Sequence, residues 1–230
     1  MRVTPLFAFG IALSVLVIVE FGFRARDLPS VVLYSGPAMR SSAVVCTGVL
    51  LGATVAVTAE HCLELADGVG LGRGNVCHDG WTDVGEFDSI SLGDDLAIIR
   101  WSGDSRTSVP IASDRAGPAK TFIRGYGPRN GNGGFACEQQ QLDGFVTQPE
   151  CAVRPSWSEP PMCLRSSEHS VCRGWSGSGV YLNDELAGIV SGGSSCATAG
   201  EGDVVVRRIF ETEVSQSLQS ALTGIDSTPG

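Results

Sequence analysis

Lysine is almost missing from this chain: Lys120 is the single one in 230 residues, and fifteen arginines complete the 16 basic side chains. Set against 25 acidic residues, this leaves a formal charge of -9 and no basic cluster, which argues against nucleic acid as a partner. No Cys-x-x-Cys accompanies Cys77-His78, so a zinc site there has little support and no metal is expected. Long apolar runs are lacking too. Pro5 to Val19 is the one sustained run, and it is too short to span a bilayer comfortably. Helical periodicity is absent until the end, where Phe210, Val214, Leu218 and Leu222 recur every four residues.

What the chain does hold is cysteine, glycine and β-branched runs. Eight cysteines beside three methionines suggest disulfides, hence an oxidising compartment and a secreted or periplasmic location. Met1-Arg2 and the apolar run after it read as a secretory signal over residues 1–25, cleaved after Ala25; an uncleaved N-terminal anchor is the alternative, and no other membrane contact is expected. Short runs at Val31–Tyr34, Ala43–Leu51, Thr54–Thr58 and Leu96–Trp101 are punctuated by Gly, Pro, Asp or Ser. The rhythm repeats at Thr121–Gly125, Gly144–Thr147, Gly179–Leu182, Leu186–Ser191 and Val204–Ile209. That is an all-β pattern. Pro110, Gly117 and Pro118 break it, placing a seam near residues 111–120 between a first unit of about 26–112 and a second of about 118–209. A helix over about 211–222 and a tail at 225–230 complete the chain, whose length suits one all-β domain of two small barrels.

One stretch stands out chemically. Cys172-Arg173-Gly174-Trp175-Ser176-Gly177-Ser178-Gly179 sets a hydroxyl between glycines that let a backbone approach a substrate closely. A serine attacks a carbonyl only if a base takes its proton and donors wait where the oxyanion forms. Gly174, with no Cβ and free backbone angles, allows its own N–H and that of Ser176 to point at one oxygen. In a chain with 30 glycines a lone Gly-x-Ser-Gly is also compatible with a plain turn between strands.

Two further stretches decide against the plain turn. Thr58-Ala59-Glu60-His61-Cys62 lies upstream, and Asp95-Leu96-Ala97-Ile98 lies between the two. In this order the three resemble the TAAHC, DIAL and GDSGGP motifs of the chymotrypsin/trypsin-like serine proteases, which spread their triad as His, Asp, Ser. Gly-x-Ser-Gly-Ser is similar to the form found in bacterial members. The resemblance covers nearly the whole mature chain, residues 26–224, and implies two six-stranded antiparallel β-barrels followed by a C-terminal α-helix. It implies a secreted, monomeric serine endopeptidase without cofactor, acting on polypeptide substrates through an acyl-enzyme, with a protein inhibitor as a further partner. In the roles so carried over, His61 is general base and then general acid, Asp95 holds its tautomer, and the amides of Gly174 and Ser176 form the oxyanion hole. The bland readings are a structural imidazole at His61 and a turn carboxylate at Asp95, which His78, His169 and Asp94 retain.

The same resemblance pairs Cys46 with Cys62, Cys151 with Cys163, Cys172 with Cys196, and leaves Cys77 with Cys137; composition alone permits on the order of a hundred pairings. It makes Ser191 the hydroxyl that supports Asp95, Ser170 the floor of a specificity pocket and Gly193 its open wall. Asp203 falls at a second wall position, where an ionised carboxylate would call for a cationic substrate side chain; a turn of altered length at Ala199–Gly202 would move it to solvent instead. Two residues depart from the family. Trp175 stands where trypsins carry the aspartate that pairs with the N-terminus freed on activation, and Glu60 replaces the usual alanine beside the base. These departures sustain the rival reading, a catalytically impaired binding protein on the same fold. An esterase of α/β type would need a different triad order and an α/β pattern that is absent.

Overall fold

Valine- and isoleucine-rich runs of five or six residues fit a pleated surface better than a helix, and in the computed structural model they pair into two antiparallel sheets. The structure describes residues 30–36, 43–72, 75–102, 111–112, 120–128, 136–152, 155–193 and 202–209, with 214, 216, 218 and 220 beyond them. The signal or anchor expected over 1–25, Cys196 and the tail at 225–230 lie outside the described residues.

The first sheet holds β1 (Ser30–Ser35), β2 (Ala43–Gly52), β3 (Val55–Ala59), β4 (Gly68–Gly72), β5 (Trp81–Asp83), β6 (Phe87–Gly93) and β7 (Leu96–Trp101). Their order across the sheet is β5-β4-β1-β2-β3-β7-β6, with the one-turn helix α1 (His61–Leu65) leaving the end of β3. The second sheet holds β8 (Thr121–Gly125), β9 (Gln140–Asp143), β10 (Val146–Gln148), β11 (Met162–Arg165), β12 (Gly179–Leu182), β13 (Glu185–Gly193) and β14 (Asp203–Arg208), ordered β10-β11-β14-β13-β12-β8-β9. Each sheet thus has seven strands where six were expected. A three-residue piece such as β5 is too short and too exposed to leave a period in the sequence, whereas β10 falls on the expected run at Gly144–Thr147. The division between sheets falls between Trp101 and Thr121, across the stretch where the sequence breaks its pattern.

Burial explains why the two halves dock. Val49, Leu51, Val57, Leu96 and Ile98 of the first sheet form one apolar cluster with Phe122, Tyr181, Leu186 and Ile189 of the second, and Val214 and Leu218 join it. Val214, Gln216, Leu218 and Ser220 are helical, so the described part of the terminal segment follows the four-residue period with its apolar face inward. A second cluster around Trp175 fills the second half, and a third around the Cys46–Cys62 disulfide fills the first.

Two registers matter for chemistry. Ala59 pairs with Leu96, so the residues just past that pair, His61 and Asp95, emerge at the same end of the first sheet. In the second sheet Gly179 pairs with Ile189, and the bonds continue from Val190 N to the Ser178 carbonyl at 2.9 Å and from Gly177 N to the Val190 carbonyl at 2.7 Å. This carries Ser176 alongside Ser191.

Candidate active site

The His61 imidazole meets a carboxylate on both of its oxygens. Nδ1 lies 2.9 Å from Oδ1 and from Oδ2 of Asp95, and the His61 amide donates to Oδ1 at 2.9 Å. The Ser191 hydroxyl donates to Oδ2 at 2.5 Å. Burial works to raise the Asp95 carboxyl, but the bonds from His61 and Ser191 outweigh it and hold the group below its ordinary range. His61 moves the other way. Its bond to Asp95, with the charges of Asp95 and Glu64 added, outweighs desolvation and lifts the imidazole above 6.5. The carboxylate that acts on His61 beyond Asp95 is therefore Glu64, one turn along α1, and not the sequence neighbour Glu60. Glu60 is the N-cap of α1 through its backbone, its carbonyl accepting the Leu63 amide at 3.0 Å, while its own amide donates to the Asp95 carbonyl at 3.1 Å.

Ser176 sits in the loop before β12, and its Oγ donates to the Ser191 carbonyl at 3.5 Å. No hydrogen bond joins it to His61 among the described residues. Ser191 is thus the link between the two halves of the site, touching Asp95 with its hydroxyl and Ser176 with its carbonyl. The backbone around the serine is left-handed at two glycines, Gly174 (φ 90°) and Gly177 (φ 80°). At Gly177 a Cβ would also overlap the Thr47 carbonyl oxygen, so only glycine fits. The amides of Trp175, Gly177 and Ser178 all donate to backbone carbonyls, while those of Gly174 and Ser176 donate to no described residue. Two such donors beside the Ser176 hydroxyl are of the kind a developing oxyanion would need.

Trp175 is completely buried, and its indole N–H donates to the Pro128 carbonyl at 3.0 Å. A Cβ on Gly127 would overlap the indole, so the bare backbone there is what lets the ring approach. Packing thus surrounds Trp175 at the position where, by the resemblance, trypsins carry an ion-paired aspartate.

Of the specificity residues, Asp203 is the one whose surroundings differ from expectation. Ser170 is buried, and a Cβ at Gly193 would overlap the Val171 carbonyl oxygen. Asp203 is neither a lone pocket carboxylate nor a solvent charge. Its side chain has 0 % exposure, lies 2.6 Å from Nη2 of Arg165, accepts from Arg165 Nε at 2.8 Å and accepts the Ala152 amide at 2.7 Å. The cation that a substrate was expected to bring is supplied by the chain itself, and the argument for a basic preference falls with it.

Cys46–Cys62, Cys77–Cys137 and Cys151–Cys163 are joined, and Cys172 is also in a disulfide, its expected partner Cys196 being outside the described residues. Cys46, His61 and Cys62 form the described cluster with metal-ligand atom types, but both sulfurs are spent in the disulfide. His78 pairs with its neighbour Asp79 at the surface, apart from the site.

Two residues in this geometry were not singled out from the sequence. Glu64 was invisible because helix α1 is one turn long. Thr47 lies within the run Ala43–Leu51 and nothing beside it in the sequence marks a role, though its polar atoms reach the carbonyls of Gly174 and Ser176.

The relatives agree with the architecture. Trypsin iota of Drosophila melanogaster is 28 % identical over 176 residues, covering 66 % of this chain and 69 % of its own. Trypsin alpha-4 of Lucilia cuprina is 27 % identical over 209 residues, with 78 % and 81 % covered. Both are insect proteins, so the bacterial type expected from Gly-Trp-Ser-Gly-Ser finds no support in them. Neuropsin, a serine protease expressed in the limbic system of mouse brain, superposes with a TM-score of 0.65 at 20 % identity over 85 % of this chain and 96 % of that one, which is evidence of fold alone. The sequence profile of the trypsins matches residues 29–210. With that match over most of its length, the two antiparallel sheets and the ordered motifs, the chain belongs to the trypsin family of serine proteases.

Proposed function

We propose that the chain is a secreted serine endopeptidase that hydrolyses peptide bonds through an acyl-enzyme. Ser176 Oγ attacks the scissile carbonyl while His61 Nε2 takes its proton. The oxyanion settles on the amides of Gly174 and Ser176, and Asp95 holds the imidazole with Nδ1–H facing the carboxylate. His61 then gives the proton to the leaving amine, and a water deprotonated by the same nitrogen releases the acyl group. The observation that carries this reading is the continuous linkage His61, Asp95, Ser191, Ser176, which joins a base from one sheet to a hydroxyl from the other. Secretion is part of the proposal, since three disulfides and no free cysteine among the described residues suit an oxidising compartment. Among the described residues no helix is long and apolar enough to cross a membrane.

One observation favours the rival, an impaired binding protein: Ser176 Oγ is bonded to the Ser191 carbonyl and not to His61. Catalytic hydrogen bonds are commonly loose before substrate arrives, so the enzyme remains the better reading. Labelling by a fluorophosphonate probe separates the two. The protein should label at Ser176 and cleave peptide esters, and Ser176→Ala should lose kcat by roughly a millionfold. Hydrolysis that survives in Ser176→Ala, or a wild-type protein that never labels, would reject the endopeptidase.

A further inference from the structure

Thr47 belongs to the first sheet, yet nearly all of its hydrogen bonding is spent on the second half and on the segment around the serine. It is 1 % exposed. Its amide donates to the Ser176 carbonyl at 2.8 Å, and its hydroxyl donates to the Gly174 carbonyl at 3.1 Å. The hydroxyl also accepts the Tyr126 amide at 3.1 Å, and the Thr47 carbonyl accepts the Thr58 hydroxyl at 2.8 Å. The residue therefore grips the two carbonyls on either side of Trp175 and is itself anchored at each end.

A grip on those carbonyls has a consequence for the free amides. Peptide units are planar, so a unit pinned at both ends cannot turn. The unit after Gly174 is pinned by the Thr47 hydroxyl at its carbonyl and by Cys172, whose carbonyl accepts the Trp175 amide at 3.1 Å. The unit after Ser176 is pinned by the Thr47 amide and by Val190, whose carbonyl accepts the Gly177 amide at 2.7 Å. Each free amide, that of Gly174 and that of Ser176, hangs from a Cα whose carbonyl side is fixed in this way. Two rotations, ψ and φ of that residue, then separate the held carbonyl from the donor. Gly174 has the least intrinsic restraint on them, being a glycine at φ 90°. The hydroxyl that holds its carbonyl thus matters most where the backbone would otherwise wander.

We propose that the Thr47 hydroxyl is a positioning residue for the oxyanion hole, acting from the opposite sheet through the Gly174 carbonyl. It touches no reacting atom. Its effect is to keep two N–H groups converging on one point, so it should act on the transition state and leave substrate binding nearly alone. The inference rests on the endopeptidase reading above.

Thr47→Val deletes the hydroxyl at nearly constant volume and keeps the backbone amide. Its kcat should fall about ten- to a hundredfold, a fraction of what removing a hole donor outright costs, with KM changed less than about twofold. The affinity for a peptide boronate, whose oxygen occupies the hole, should fall by a similar factor. Thr47→Ser returns the hydroxyl without the methyl and should recover kcat to within about threefold of wild type. Equal kcat and equal boronate affinity in Thr47→Val and wild type would overturn the proposal. So would a Thr47→Ser variant as poor as Thr47→Val, because the methyl and not the hydroxyl would then be responsible. If Thr47→Val unfolds below the assay temperature, Thr47→Ala is measured in its place against the same expectations. A wild-type protein that does not label with a fluorophosphonate would sink the endopeptidase reading and this proposal with it; a wild type that labels, beside indifferent Thr47 variants, sinks this proposal alone.

Discussion

At His61, rate and stability should respond to pH in opposite directions. As the proposed base the imidazole must be neutral, and its bond to Asp95 raises its protonation midpoint above 6.5, so activity falls away on the acid side of a midpoint higher than an ordinary histidine's. The stability it contributes runs the other way. Charged imidazole held by Asp95 stabilises the fold fully below the unfolded value of about 6.5, and that contribution is lost as the pH rises through the folded value. Asp95, held low, contributes stability that is present above its unfolded value and lost as pH falls through the folded one. An NMR titration of His61 in the Ser176→Ala protein should place its midpoint above 6.5, and Asp95→Asn should move it down. A midpoint unmoved by Asp95→Asn would mean that the 2.9 Å contact does not govern the imidazole.

The residues of this site were legible where a motif surrounds them. His61, Asp95 and Ser176 each lie inside a contiguous motif, and Ser191 follows an apolar run. Thr47 sits in an ordinary strand run, and its hydroxyl's partners, 127 and 79 residues away in sequence, leave no mark beside it. Nor does any motif tie Asp203 to Arg165, which neutralises it through strand pairing.

Among elements, the turn between β6 and β7 is the most consequential. Asp94 (φ 50°) and Asp95 (φ 61°) are both left-handed, as are Asn183 (φ 52°) and Asp184 (φ 69°) between β12 and β13. Two-residue hairpins favour this conformation because its twist matches that of the flanking strands, and Asp and Asn tolerate it best after glycine. Asp94 is then tied across the molecule. Its carboxylate accepts the Ser158 amide at 2.9 Å, the Ser158 hydroxyl at 2.5 Å and the Glu159 amide at 3.4 Å, and lies 3.4 Å from Nη2 of Arg207. Asp94→Ala should therefore lower stability by about 1 to 2 kcal/mol, read as a shift in the urea midpoint. A change below about 0.5 kcal/mol, the size of an ordinary surface substitution, would show that the tie contributes nothing. Strand legibility followed composition. β7, β8 and β12 are bounded in the structure as their valine, isoleucine and leucine runs suggest. β4, Gly-Val-Gly-Leu-Gly, was missed because glycine carries no strand signal, and here its bare backbone makes room for the rings of Tyr34 and Trp81.

At the scale of the whole molecule, the two sheets are held by the shared apolar cluster and by one covalent tie. Cys77 follows β4 and Cys137 precedes β9, so their disulfide crosses from one half to the other and closes a loop with a sequence separation of 60. Chain-entropy arguments assign a loop of that length about 4 kcal/mol, a large share of the total for a domain of this size. The paired variant Cys77→Ser/Cys137→Ser should lose close to that amount in urea unfolding, and a loss below about 1 kcal/mol would contradict the estimate.

The position of the seam also decides what activity means. A fragment ending at Trp101 would hold a base with nothing to deprotonate, and one beginning at Thr121 would hold a hydroxyl with nothing to activate it. Thr47 sharpens the division, because the Gly174 carbonyl on one side is held by a hydroxyl from the other. On the proposed mechanism, hydrolysis is in that sense a coincidence signal: it reports that the two sheets are docked against each other, and it goes silent when they part.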